Sequence, residues 1–344
     1  MKVSIIGTTG YGGVELLRIL HSHPEFDIHS IHSTKEEVAI SNEYPHLYGI
    51  IDKKMSSIDA DKISEESDLV FLATPSGVSS SLVDQFIGKD IKVIDLSGDL
   101  RLKDPSDYQR WYKKNPANKG IIEEAVYGLS EWNKEQVKAA NWVANPGCYP
   151  TATLLGLAPV VKEGLIDLKS IIVDAKSGTS GAGRGASRAN LHAELNENFK
   201  IYKVNEHQHI PEIEQQLKLW NSDSQPITFS THLLPLTRGI MATMYVQLLT
   251  DWKTERIIDL YRSYYEDAPF VRIRPQGMFP SIKDVTSSNY CDIGLHVDER
   301  TNRLTIVSVI DNLMKGAAGQ AVQNANMMFG LESSSGLKFM PLYP

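Results

Sequence analysis

Lys2-Val3-Ser4-Ile5-Ile6-Gly7-Thr8-Thr9-Gly10-Tyr11-Gly12-Gly13 reads as a strand running into a glycine turn. The first five residues are mostly apolar and β-branched, and Val14, Leu16, Leu17 and Leu20 then recur at helical spacing. Strand, glycine turn and helix is the layout that sets a pyrophosphate on a helix N-terminus. A tight turn that a phosphate approaches closely needs bare backbone, hence glycine. The spacing G-x-x-G-x-x-G is a variant of the commoner dinucleotide fingerprint. Gly7, Thr8, Thr9, Gly10, Tyr11 and Gly12 are therefore the expected cofactor-binding residues, with Ser76 and Gly77 of a later loop beside them.

Outward from that turn, strand-like and helix-like segments alternate. Strands are expected at 27–31, 68–73, 92–96 and 142–144, and helices at 12–20 and 78–86. Such alternation predicts a doubly wound parallel sheet, an α/β domain of Rossmann type. Beyond Cys148 the runs at 170–174, 227–233, 242–250, 295–297 and 303–309 are β-rich, with helices expected at 210–220 and 255–265. That texture predicts an α+β domain with a largely antiparallel sheet. The helical run 316–329, with its small residues Ala317, Ala318 and Ala321, is assigned back to the first domain. Residues 1–147 and 313–344 thus form the expected dinucleotide domain, and 148–312 the substrate and oligomerisation domain.

At 344 residues the chain can hold two such domains. Its 42% hydrophobic and 22% charged residues are those of an ordinary globular protein. A net charge of −7 without a basic cluster argues against a nucleic-acid partner. The two cysteines offer neither a disulfide framework nor metal-ligand spacing, which fits a reducing cytoplasm. With Met1 directly before the first strand, no signal peptide is expected, and no apolar run reaches membrane-spanning length.

The residues after the second strand bear on cofactor choice. An NAD site usually carries a carboxylate there for the ribose 2′-hydroxyl. Here Ile31-His32-Ser33-Thr34-Lys35 has none before Glu36. Ser33, Thr34 and Lys35 can instead donate to a 2′-phosphate, so NADP is the expected cofactor.

Chemistry concentrates in Asn145-Pro146-Gly147-Cys148-Tyr149-Pro150-Thr151, ahead of an apolar helical run. A thiol at a helix N-terminus is favoured as the thiolate, the form that attacks an acyl carbon. The resulting thioester can be reduced by hydride. His207-Gln208-His209-Ile210-Pro211-Glu212 supplies a candidate base at a loop-to-helix junction. Of His207 and His209, at most one is expected to face the thiol. Ser177-Gly178-Thr179-Ser180-Gly181-Ala182-Gly183-Arg184 could offer an anion nest to the substrate or to the nicotinamide ribose. Arg101 and Arg238 are candidate anion clamps.

Together these runs, with Asp95-Leu96-Ser97-Gly98-Asp99-Leu100-Arg101, His232-Leu233-Leu234-Pro235 and Gly316-Ala317-Ala318-Gly319-Gln320-Ala321, resemble the N-acetyl-γ-glutamyl-phosphate reductase family of arginine biosynthesis. The resemblance spans nearly the whole chain and implies the two-domain fold of aspartate-semialdehyde dehydrogenase. It implies reduction of N-acetylglutamyl 5-phosphate by NADPH to the 5-semialdehyde, with release of phosphate. In that reading Cys148 is the nucleophile and His207 the acid/base. His209, Glu212, Arg101, Arg238, Ser177 and Gly178 serve the substrate. Asn312 and Gly181 lie by the cofactor, and a homodimer or homotetramer forms in the cytoplasm. Two features depart from many relatives: Ser33-Thr34-Lys35 stands in place of a Ser-Arg pair, and Asp174-Ala175-Lys176 adds charge before the glycine loop. Rival readings are a reductase of another acyl phosphate, a Cys148–His207 hydrolase or acyltransferase, and an NADP sensor.

Overall fold

The computed structural model describes residues 1–343; Pro344, the last residue of the expected dinucleotide domain, lies outside them. The chain divides into two compact units, Met1–Pro146 with Ala317–Lys338, and Gly147–Gly316 with the residues from Phe339 on.

The first unit is built on strands β1 (Lys2–Ile6), β2 (Asp27–His32), β3 (Leu69–Leu72), β4 (Lys92–Asp95), β5 (Val126–Tyr127) and β6 (Trp142–Ala144). They lie in the order β2-β1-β3-β4-β6-β5, every neighbour parallel. Val3, Ile5, Ile6, Leu69, Val70, Phe71, Leu72, Val93 and Ile94 are wholly buried. A parallel sheet covered on both faces demands such near-continuous apolar strands. The Tyr11–His21 helix follows β1 directly. The expected helix at 78–86 is broken: Ser79–Leu82 is α-helical and Val83–Phe86 tightens to a 3-10 turn. All ten residues of the Gly319–Met328 helix are buried. Its Asn324 and Gln320 both donate to Gly128 O, and a Cβ on Gly128 would fall 2.4 Å from Asn324 Nδ2.

The second unit carries β7 (Ile172–Ser177), β8 (Lys200–Tyr202), β9 (Thr228–Leu233), β10 (Ile240–Gln247), β11 (Val271–Ile273), β12 (Cys291–Asp298) and β13 (Arg303–Ile310). The order is β11-β12-β13-β10-β7-β9-β8, antiparallel except at β11/β12 and β7/β9. Strand β10 alternates buried and half-buried residues along its length, so one face of the sheet is the more covered. The Cys148–Lys162 helix packs on β10 and β13. Gly156 permits that approach, since a Cβ there would meet Met244 Cε at 2.4 Å. Pro159 inside this helix has no N–H for Leu155 O, and the Tyr265 hydroxyl donates to that carbonyl at 2.5 Å. The added charges of β7 form a cross-strand cluster: Lys176 Nζ lies 2.7 Å from Asp174 Oδ2, and His232 Nδ1 of β9 lies 3.1 Å from Asp174 Oδ1. Among the described residues, no helix is long and apolar enough to cross a membrane.

Strands β5, β8 and β11 have no counterpart in the expectations. Two or three residues are too few to display a period.

Candidate active site

Cys148 is the first residue of the Cys148–Lys162 helix, behind an extended Gly147 that carries no side-chain cap. Its side chain is partly exposed. The helix start is anchored from two sides. The Gly147 N–H donates to Glu212 Oε1 at 2.8 Å, and the Gly147 carbonyl accepts from both the N–H and the hydroxyl of Thr151 at 2.9 Å. A Cβ on Gly316 would fall 2.8 Å from Cys148 Cβ, so glycine there leaves the cysteine its room.

Behind the thiol lies an aromatic enclosure. Tyr149 is buried, and its hydroxyl meets that of Tyr202 at 3.0 Å. Burial, then Tyr202, pushes the Tyr149 hydroxyl far above its usual pKa. The ring of His207 packs against Tyr149 (5.3 Å between centroids), Tyr202 (6.0 Å), Phe229 (5.9 Å) and His209 (4.7 Å). Burial and then the Lys203 charge push His207 down to about 3, so the ring is neutral at physiological pH. His207 Nδ1 accepts the His209 backbone N–H at 3.2 Å.

The expectation that at most one histidine faces the cysteine side does not hold, for both rings pack on Tyr149, the residue after Cys148; residues two apart share a face even in an extended segment. His209 has φ −83° and ψ −10° and caps the Ile210–Trp220 helix. Glu212, in the first turn of that helix, has no exposed surface, and its Oε1 is turned to Gly147.

The glycine loop is a docked loop and not an open nest. Gly178, Thr179 and Ser180 donate their N–H groups to Gly239, Leu236 and Thr237 carbonyls at 2.8 to 3.0 Å. Gly181 and Gly183 donate to Gly178 and Ser180 within the loop. The Ser177 hydroxyl donates to Gly178 O, and residues 181–188 are exposed. Asn312 staples this layer: its Oδ1 accepts the Gly239 N–H at 2.7 Å and its Nδ2 donates to Ser180 Oγ at 3.0 Å. With its amide so engaged and 2% exposed, Asn312 braces the loop. Arg238 Nη1 lies 3.4 Å from Asp311 Oδ2, a long contact, and the side chain stays a quarter exposed.

In the first unit, Gly7 takes φ +96°, and a Cβ on it would sit 2.5 Å from Ala73 O. A Cβ on Gly13 would sit 2.4 Å from Gly7 O, so both glycines are demanded by the protein itself. Gly12 has no protein atom within 4 Å of its Cβ position, and Gly10 only ordinary contacts. The helix start is uncapped and has no acidic residue in its first turn. An open, uncapped, glycine-lined helix terminus fits a pyrophosphate. The buried Thr8 hydroxyl points to His32 O at 3.5 Å, and Thr9 O accepts from the Tyr44 hydroxyl. After β2, Ser33 is buried and its Oγ accepts the Lys35 N–H at 2.9 Å; Thr34 is exposed, and Lys35 Nζ pairs with Glu43. Ser76 Oγ donates to Ser97 O, while the Gly77 N–H is taken by the Asp99 carboxylate. Arg101 is 5% exposed and donates to the carbonyls of Asn145 and Leu96 at 2.7 and 3.0 Å, a loop staple within this unit.

Sequence reasoning passed over Tyr149, Tyr202 and Glu43. Tyr149 was visible beside the cysteine, but Tyr202 sits on a three-residue strand and Glu43 on a short helix, where no pattern marks them.

Comparison with known proteins bears on both units. The semialdehyde dehydrogenase NAD binding domain family matches residues 2–140, and the semialdehyde dehydrogenase dimerisation domain family matches 148–312. An N-acetyl-gamma-glutamyl-phosphate reductase of Geobacillus sp. (strain WCH70) is 57% identical across 100% of both chains. The enzymes of that name from Bacillus anthracis and Bacillus mycoides are 54% and 55% identical over the same full span. Among solved structures, aspartate semialdehyde dehydrogenase II from Vibrio cholerae superposes with a TM-score of 0.71 at 17% identity, covering 96% of this chain and 98% of that one. Aspartate semialdehyde dehydrogenase with NADP from Candida albicans gives 0.68 at 15% identity, over 95% and 98%. At such identities the likeness is one of fold.

Proposed function

The chain belongs to the N-acetyl-gamma-glutamyl-phosphate reductase family, and we propose that it reduces N-acetylglutamyl 5-phosphate to the 5-semialdehyde, releasing phosphate, in arginine biosynthesis. Full-length identity above half to enzymes of that name carries the reading, and the uncapped, partly exposed cysteine at a helix start supplies its chemistry.

Cys148 attacks the acyl carbon as a thiolate. The C–S bond forms, the C–O bond to phosphate breaks, and phosphate leaves with the electron pair. The Cys148 and Tyr149 N–H groups at the start of the Cys148–Lys162 helix would hold the tetrahedral oxyanion. His207 is the acid/base partner, and His209 lines the acyl pocket. Glu212 serves that pocket by holding the turn that carries Cys148. Arg238, partly exposed beside the Ser177–Gly178 turn, is the better placed of the two arginines to meet an anionic substrate group, because Arg101 is buried on carbonyls.

A nicotinamide dinucleotide, when bound, supplies the hydride that converts the thioester to the aldehyde. Gly7 to Gly12 would hold its pyrophosphate. We assign NADP, with Ser33, Thr34 and Lys35 toward the 2′-phosphate; Lys35 would exchange Glu43 for that phosphate. The unit of residues 1–146 and 317–338 is assigned to the dinucleotide, so that 147, 313–316 and the residues from 339 on leave the expected dinucleotide domain; the second unit is assigned to the substrate and to a homodimer or homotetramer in the cytoplasm.

The test is NADP reduction by N-acetylglutamate semialdehyde, followed at the nicotinamide absorbance. Turnover should require phosphate, and Cys148→Ser should abolish it while NADP still binds. Phosphate-independent turnover, or wild-type rates from that variant, would reject the assignment.

A further inference from the structure

We infer that Asp311 is a positioning residue: its buried carboxylate, pinned by backbone, sets the Arg238 guanidinium that clamps an anionic group of the reactants. The inference rests on the reading of Arg238 as the substrate's anion clamp and adds what aims it.

Asp311 has no exposed surface, and its two oxygens divide the work. Oδ1 accepts the Leu313 N–H at 2.8 Å and the Met314 N–H at 3.1 Å, where a π-helical turn begins. Oδ2 accepts the Ser287 N–H at 2.7 Å and lies 3.4 Å from Arg238 Nη1. A buried carboxylate needs its charge and its lone pairs answered. Three backbone N–H groups answer this one at shorter range than the arginine does. The carboxylate therefore has its place without the arginine, whereas the arginine, a quarter exposed, is the partner that can also meet a ligand.

Ser287 holds φ +62°, a left-handed conformation that residues with a Cβ rarely adopt, and in it presents its N–H to Asp311. Such strain persists where the surroundings over-determine it.

The backbone of Arg238 is fixed by the residue next to Asp311. Asn312 Oδ1 accepts the Gly239 N–H at 2.7 Å, and a Cβ on Gly178 would fall 2.9 Å from Arg238 N. Adjacent side chains thus hold adjacent residues: Asn312 takes the backbone of the Arg238–Gly239 turn, and Asp311 its guanidinium. The same aspartate is registered to the nucleophile. Its carbonyl accepts the Gly316 N–H at 3.0 Å, and a Cβ on Gly316 would fall 2.8 Å from Cys148 Cβ. A long arginine side chain has many rotamers, and holding it in one before the substrate arrives removes that ordering cost from binding.

Steady-state kinetics in the direction of aldehyde oxidation test it. That direction offers two separate anions, inorganic phosphate and the carboxylate of N-acetylglutamate semialdehyde. Arg238→Gln should raise KM for one of the two by about tenfold to a hundredfold. Asp311→Asn should raise the same KM by about threefold to tenfold and leave the other unchanged. The double variant should lose no more than Arg238→Gln alone, since the carboxylate acts through the guanidinium. Additive losses, a rise in the other KM, or no rise at all would overturn the inference. So would a lower KM, the sign expected of a carboxylate that only repels the substrate anion. A purely structural role would move the unfolding temperature without choosing between the two KM values. Arg238→Gln without effect on either KM would reject the reading of the arginine itself, a result distinct from an inert Asp311→Asn beside an impaired Arg238→Gln. If Asp311→Asn does not fold, Arg238→Ala decides. Millimolar guanidinium ion should restore the KM of that variant, because the vacated place keeps its carboxylate, and absence of rescue would overturn the inference.

Discussion

The Gly147 N–H and Glu212 Oε1 meet at 2.8 Å with the carboxylate wholly out of water. One bond therefore joins the start of the helix that carries Cys148 to the first turn of the helix that follows His209. Because the Ile210–Trp220 helix begins at this point, any movement of Glu212 moves the nucleophile's turn and the histidine junction together.

Glu212→Ala should leave a buried N–H without its acceptor, at a cost of about 1–3 kcal/mol. Glu212→Gln keeps an amide oxygen for the bond and should lose about 1 kcal/mol or less. Thermal unfolding checks the ranking. A positioning role further requires kcat to fall more than KM rises in the alanine variant, with glutamine restoring most of kcat. Equal kinetics in both variants would show that the bond does not set the thiol's geometry.

The glycines of the first turn divide by what surrounds them. Gly7→Ala and Gly13→Ala would drive a Cβ to 2.5 Å and 2.4 Å from backbone oxygens that cannot move aside. Both should lower the unfolding temperature and reduce soluble yield. Gly12→Ala meets no protein atom and sits early in a helix, so stability should hold or rise by up to about 1 kcal/mol. Its loss should appear in dinucleotide binding, at about tenfold or more by titration, since the methyl would stand where a pyrophosphate approaches. Unchanged affinity in that variant would remove the phosphate from this turn.

The sequence displayed the fold wherever a period was long enough to read. Strands β1, β3, β4 and β6 are apolar runs, and β10 alternates along eight residues. The three shortest strands carry no period, and with β8 went Tyr202, one wall of the enclosure of His207. Cys148 was legible because a helix start needs only local signals. The partnership of His207 with Tyr149 was not, because the loop that carries His207 and the helix start that carries Tyr149 meet only in the fold. Asn312 shows the same limit: its amide is spent on Ser180 and Gly239, two loops that only the fold brings together.

Lys35 offers a test of cofactor choice. It pairs with Glu43, whose side chain is only 13% exposed, so removing the lysine should cost somewhat more than an exposed pair does, about 1 kcal/mol. Lys35→Ala should weaken NADP binding about tenfold to a hundredfold, the worth of one charge-assisted hydrogen bond, and leave NAD binding unchanged. Fluorescence titration with both dinucleotides measures the ratio. A parallel loss for NAD and NADP would move Lys35 away from the 2′-phosphate.

Stability should fall as the solution is acidified from pH 7, and buried histidines give the sign. Desolvation lowers His23, His32 and His207 below the unfolded value of 6.5, with His207 pushed down to about 3. A depressed histidine is neutral in the fold while the unfolded chain binds a proton below that value. The unfolded state thus holds more protons, and unfolding free energy rises with pH. The stability these rings contribute is complete above pH 6.5 and is lost as pH falls toward each folded pKa. For His207 the window runs from about 6.5 to about 3, with a slope approaching 1.4 kcal/mol per pH unit from that one ring. His207→Gln removes this share while the carboxylates titrate as before. Denaturant unfolding of both chains at pH 7, 6, 5 and 4 should therefore give curves that converge on acidification. Parallel curves would show that the ring is already solvated or paired in the folded chain.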